Sequence, residues 1–153
     1  MQRRSGLAHV IAMILVALGL AAPTAARAPA PAFKAYVDMK TFMQHVLSPA
    51  AQVIWRSNAI IIDATGEHDL SPRTDADWES IVTGSATLVE ATNGLLIPQR
   101  VRDPAWVGQV QNLARAAEKA YQGAENHDLK AVSEVSDQLD GLCAACHRQY
   151  GLE

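Results

Sequence analysis

Between residues 36 and 150, apolar side chains recur every three or four positions in four stretches, and none carries a convincing strand-type alternation. The first stretch runs from about Tyr36 to Trp55 and contains Pro49, which should kink the helix or restart it with Ser48 as cap. The second begins after Thr74, with Asp77 three positions on as an imperfect capping box, and continues to the stop signal Asn93-Gly94. Trp78, Ile81, Val82, Ser85, Leu88, Val89 and Thr92 form its inner face. Asp103 and Pro104 open the third as N-cap and first-turn proline, and Val107, Val110, Ala114, Ala117 and Tyr121 recur at helical spacing up to Gly123. The fourth starts near His127-Asp128 and reaches Tyr150; the short link 122–127 makes it an antiparallel neighbour of the third. Ile60 to Arg73 is ambiguous, because Ile60, Ile61 and Ile62 either extend the first helix or cross in extended form before Gly66. The expectation is an all-α fold.

Upstream, Arg3 and Arg4 precede an apolar run from Leu7 to Ala22, followed by small residues through Pro23, Ala26, Ala28 and Ala30. That is the pattern of a secretory signal peptide, cleaved near Ala26 or Ala28. A membrane anchor is the alternative, but the run is shorter than the roughly 20 apolar residues of a spanning helix and includes His9 and Gly19. The expected division is a signal peptide over 1–28, a flexible lead-in over 29–35 and one domain over 36–153, within the usual size of a single core. The full chain carries a formal charge of −3, and the signal segment holds arginines but no acids. The exported chain is therefore more acidic still, which disfavours binding to a phosphate backbone and leaves no nucleic-acid partner in view.

Cys143 and Cys146 are the whole cysteine inventory. In an oxidising compartment two cysteines read first as a disulfide. The following residue alters this, because Cys143-Ala144-Ala145-Cys146-His147 has the Cys-x-x-Cys-His spacing of c-type haem attachment. Two thiols must reach the two vinyl groups of one porphyrin while an imidazole reaches its iron. At about 100° per residue, Cys146 and His147 fall at roughly −60° and +40° from Cys143, so all three share one helix face. Leu129, Val132, Val135, Ser136, Leu139, Leu142 and Tyr150 occupy the neighbouring arc, and Lys130, Glu134, Asp137, Gln138 and Arg148 lie outside it. A thioredoxin-like motif belongs at the start of a helix after a strand, whereas this one ends a helix. Structural zinc needs a fourth ligand, and His45, His68 and His127 are scattered singly. One covalent haem c with its iron is the leading cofactor expectation.

The C-terminal run from Cys143 to Tyr150, ending the last helix of an exported four-helix chain, resembles the class II cytochromes c, the cytochrome c prime family. The stretches Met43 to Trp55 and Leu88 to Arg100 also resemble a branch of small exported cytochromes of this class. The resemblance implies an antiparallel four-helix bundle, His147 as proximal iron ligand and a distal face lined by the first helix. Members of the family either ligate the iron with a methionine of that helix, as low-spin electron carriers, or leave it five-coordinate and bind small gases. Met39 and Met43 share a stripe with Val46, Ala50 and Val53, while His45 points more than about 100° away, toward solvent. Met43 stands one turn deeper and within the resembling stretch; it is the favoured distal ligand and Met39 the substitute. Pro49 departs from the family pattern and shifts the rotation of the downstream turns. Arg100, with Arg102 beside it, is a candidate for propionate contact, the alternative being solvated surface arginines. The expected function is periplasmic electron transfer without enzymatic activity, with redox proteins of the periplasm or inner membrane as partners and a homodimer left open. A five-coordinate gas-binding protein and a haem-free dithiol protein are the alternatives.

Overall fold

The computed structural model describes residues 33–151, so the expected signal peptide lies outside the described residues. A helical stretch of three segments comes first: α1 (Met39–Phe42), a π-helical turn (Met43–Leu47) and α2 (Ser48–Arg56). Strands β1 (Ile60–Asp63) and β2 (Gly66–Asp69) come next, then the long helices α3 (Asp75–Leu95), α4 (Pro104–Glu125) and α5 (Leu129–Tyr150). The described residues are thus mostly helical, with one small two-stranded sheet.

The π-helical turn is the response to Pro49. Proline has no N–H to give the carbonyl four residues back and its ring crowds that carbonyl. The helix widens instead, and the Ser48 N–H bonds to the Met43 carbonyl across five residues. Ser48 is therefore no side-chain cap, and the helix neither restarts nor breaks. The extra residue in the turn resets the rotation downstream. Leu47, Ala50, Ala51 and Ile54 go inward, while Met39, Met43, Val46 and Val53 are left half-buried at the flank of the core.

The isoleucine run takes the extended alternative and does not prolong the first helix. Ile60 pairs with Asp69, Ile61 with His68, Ile62 with Glu67 and Asp63 with Gly66 in an antiparallel hairpin. Asp63 Oδ1 accepts from the Thr65 N–H at 2.7 Å, and Gly66 adopts a φ of 128° that L side chains rarely take. Every residue of both strands is exposed, so no burial imposed an alternating pattern that could be read in advance.

The long helices begin at the expected caps. Asp77 N–H donates to Thr74 Oγ1 at 3.2 Å and Thr74 N–H to Asp77 Oδ2 at 2.8 Å, a complete capping box. Asp103 Oδ1 accepts from Trp106 N–H at 2.8 Å, and Asp128 Oδ1 from Ala131 N–H at 3.1 Å. α3 passes Gly94 by one residue.

α4 and α5 pack antiparallel. Lys119 pairs with Glu134 at 2.5 Å and Gln109 with Gln149, which fixes α4 against α5. Asn58 beyond α2 donates to Ser133 Oγ at 2.8 Å and accepts from Ser136 Oγ at 3.0 Å on α5. Ile54, Leu88, Trp106, Val132, Val135 and Leu139 are buried almost completely, each aliphatic member contributing roughly 1.5–3 kcal/mol. On α4 the buried residues are Trp106, Val110, Ala116, Ala117, Ala120, Gly123 and Ala124, so the expected face through Val107 and Tyr121 is rotated by about one residue. Trp106 is the largest fully buried side chain and sets that rotation.

α2 and α3 pack tightly at Gly84, where an added Cβ would lie 2.7 Å from Val53 Cβ. Gly84→Ala should destabilise the protein by about 1–3 kcal/mol despite its better helix propensity. Gly108, also helical, has nothing within 4 Å of such a Cβ, so Gly108→Ala should stabilise by about 0.5–1 kcal/mol. Urea denaturation of both variants checks the opposite signs.

Candidate functional site

Full burial along α5 ends at Leu139; Leu142, Cys143, Cys146, His147 and Tyr150 are half-buried. Here the helices part around a small apolar cavity of about 70 Å³. α5 supplies Leu142, Cys143, Cys146 and His147. Met43 and Leu47 come from the π-helical turn, and Ser48, Ala51 and Trp55 from α2. Leu88 and Leu95 of α3 and Gln109, Val110 and Leu113 of α4 complete the lining.

Both thiols are free. Burial pushes each of them up from the ordinary cysteine range; the Asp140 carboxylate adds to this at Cys143, and Arg102 opposes it at Cys146. Protonated, half-buried thiols are the reverse of the low-pKa thiolate of a redox-active Cys-x-x-Cys. Among the described residues, no three His, Cys, Asp or Glu side chains are grouped to hold a metal ion between them.

The two candidate methionines are separated by the fold. Met43 lines the cavity with the cysteines and His147, whereas Met39 faces a different surface cleft shared with Arg100 and Arg102. His45 is exposed and borders a groove between α2 and α3. Arg100 does not line the cavity. It is buried, donates to the Gly94 and Val37 carbonyls at 2.8 Å each, and lies over the Phe42 ring at 4.1 Å, tying the segment before α1 to the end of α3. Arg102 stands beside the cysteine motif, 5.6 Å from the Trp106 ring and 5.7 Å from the Tyr150 ring.

Two lining residues were not singled out in the sequence. Trp55 Nε1 and Gln109 Oε1 are buried without a hydrogen-bond partner among the described residues. The only sequence signal for them was a polar atom at an inward helical position. The end of α5 is fastened by a clasp that sequence reading also missed. The Tyr150 hydroxyl donates to Asp103 Oδ1 at 2.8 Å, and the Trp106 ring meets the Tyr150 ring edge-on at 5.0 Å. The Trp106 backbone N–H and then the Tyr150 hydroxyl hold the Asp103 carboxyl below its ordinary range.

Comparison with protein-family models, curated proteins and solved structures finds no match to this chain.

Burial, reinforced by the hydrogen bond to Asp103, pushes the Tyr150 phenol up from 10.0 to about 12. The folded protein then holds this proton more tightly than the unfolded chain. Its contribution to stability is complete below pH 10 and is lost as pH rises toward about 12. Tyr150→Phe should be less stable at neutral pH and lose part of the alkaline decline, as read by urea denaturation at several pH values across that window.

Proposed function

We propose that this chain is an exported class II c-type cytochrome, a four-helix bundle of the cytochrome c prime type that carries electrons in the periplasm. One haem c is joined to Cys143 and Cys146, with His147 as proximal and Met43 as distal iron ligand. The observation that carries the reading is the convergence of Met43, Cys143, Cys146 and His147 on one apolar cavity. The donor set fits a haem. Two thiols and an imidazole share one helix, a thioether lies on the first helical stretch, and aliphatic side chains from three more elements offer apolar walls for the porphyrin faces.

When bound, the haem supplies one-electron chemistry between Fe(II) and Fe(III). The chain's own residues govern it. Cys143 and Cys146 fix the group to α5, and His147 donates from that helix. Leu47, Leu88, Leu95 and Leu113 exclude water, and Met43 favours the reduced state as a thioether ligand. The excess of acidic over basic residues favours basic faces on redox partners of the periplasm or inner membrane. Export rests on the arginine-led apolar segment ending near Ala28. The protein serves as a carrier and not as an enzyme.

Denaturing extraction with acidified solvent should leave the haem on the polypeptide made in a host with a haem-attachment pathway. Cys143→Ser or Cys146→Ser should weaken or abolish stable holoprotein. Haem that leaves the unaltered protein freely rules out the thioether links.

Met43→Ala should lower the reduction potential, admit carbon monoxide rapidly and remove the sulfur-to-iron charge-transfer band of the oxidised form, while Met39→Ala should do none of these. Redox titration and absorption spectra separate the outcomes. Rapid carbon monoxide binding by the unaltered protein would replace electron transfer with a five-coordinate gas-binding role.

A further inference from the structure

Three large apolar side chains stand exposed in a row on β1: Ile60, Ile61 and Ile62 are 60, 39 and 77 % exposed. The hairpin contributes no residue to the hydrophobic core, so packing within the chain does not account for them. The direction of the backbone groups follows from the ladder. Leu70 N–H donates to the Ala59 carbonyl at 3.0 Å, which makes Ala59 and Leu70 a hydrogen-bonded pair. Such pairs alternate along antiparallel strands. Ile61 with His68 and Asp63 with Gly66 are therefore bonded pairs as well, and the N–H and C=O groups of Ile60 and Ile62 turn to the open edge of β1. Those of Glu67 and Asp69 turn to the open edge of β2.

The two edges differ in charge. A second β2 laid antiparallel about His68 would set Glu67 against Asp69 of the other copy, with like charges directly opposite. β1 laid on β2 of another copy would leave an edge free at each end and propagate without closing. A second β1 laid antiparallel about Ile61 meets neither obstacle. It sets Ile60 opposite Ile62 and Asp63 opposite Ala59, and the outward groups of Ile60 and Ile62 exchange their N–H and C=O bonds across the join. Four isoleucines then share one face. The carboxylates of Glu67 and Asp69 stand on the outer strands, three strand spacings or roughly 14 Å from their counterparts. We propose that β1 joins two copies of this chain in a dimer, through a continuous four-stranded sheet with its two-fold axis at Ile61. Antiparallel pairing sends the hairpin bases at Asn58 and Leu70 in opposite directions, and the turn residues Ala64 and Thr65 stay outside the contact. So short a join buries little area, and the dimer is weak and concentration-dependent. It is independent of the haem reading.

The test uses the intact exported protein. Sedimentation equilibrium from about 10 μM to about 1 mM should show a monomer–dimer equilibrium in the unaltered chain. Ile62→Lys puts a charge on the edge, where Glu67 across the hairpin accommodates it, and should raise the dissociation constant about tenfold or more with an unchanged urea midpoint. The register has its own readout. Facing residues of a non-hydrogen-bonded pair lie about 4.5 Å apart at Cα, within reach of a disulfide. Under mild oxidation Ile61→Cys should therefore form covalent dimers about tenfold faster than Ile60→Cys or Ile62→Cys, whose equivalents in the other copy are not opposite. The unaltered chain serves as the control for links through Cys143 and Cys146. A chain that stays monomeric to about 1 mM overturns the proposal, whether or not another protein binds at Ile60 and Ile62. A dimer that survives Ile62→Lys lies on another surface and overturns it as well. Cross-linking no faster at Ile61 than at its neighbours refutes the two-fold register, and the proposal with it.

Discussion

Trp106 is the point on which the arrangement turns. Its indole is buried completely at the first turn of α4, and its Nε1 donates to the Leu95 carbonyl at 2.9 Å where α3 ends. Its backbone N–H caps onto Asp103, and its ring receives the edge of Tyr150 from the last turn of α5. Three helix ends are thereby held at one place. The turns of α5 that present Cys143, Cys146 and His147 lie immediately before this anchor, so their aim depends on it. A buried indole with its N–H satisfied combines large apolar area with a directional bond, and few other side chains could set both the rotation of α4 and the height of α5.

The second determinant is a defect used as a device. Pro49 would leave a carbonyl unpaired in a regular helix, and the π-helical turn absorbs the mismatch by one added residue. That residue rotates α2 so that Ala50, Ala51 and Ile54 pack inward, while Met43 and Leu47 remain at the cavity. Such turns are frequent at functional sites because they change the aim of a side chain without breaking the helix. Here a thioether and a stretch of core packing are both served by one irregularity.

Legibility in the sequence divides along physical lines. Thr74, Asp103 and Asp128 announced their helices because a cap is a local bond at a fixed offset. The stripe of α5 through Val132, Val135 and Leu139 was legible because a period of 3.6 survives in composition. The hairpin was not, since wholly exposed strands have no reason to alternate. The face of α4 was misplaced by a residue because Val107 matches the apolar period as well as Trp106 does, and only bulk in a finite core decides between them. Arg100 was beyond reach for another reason. Its acceptors are the Gly94 and Val37 carbonyls, brought together by packing that no spacing in the chain encodes. Gln109 and Trp55 were hidden because one polar residue in a helical pattern gives no sign of whether it faces water or a cavity.

The hairpin also bears on how this protein could be handled. Its strands are exposed throughout, and its turn is held by Asp63, Thr65 and Gly66, none of which touches the core. The cost of closing a loop grows only slowly with length, by about 0.6 kcal/mol per doubling. The link between Asn58 and Leu70 is accordingly a natural place to splice in a foreign peptide, an affinity handle or a fluorescent label. It offers an attachment point whose residues lie outside the cavity lining and outside the clasp that fastens α5.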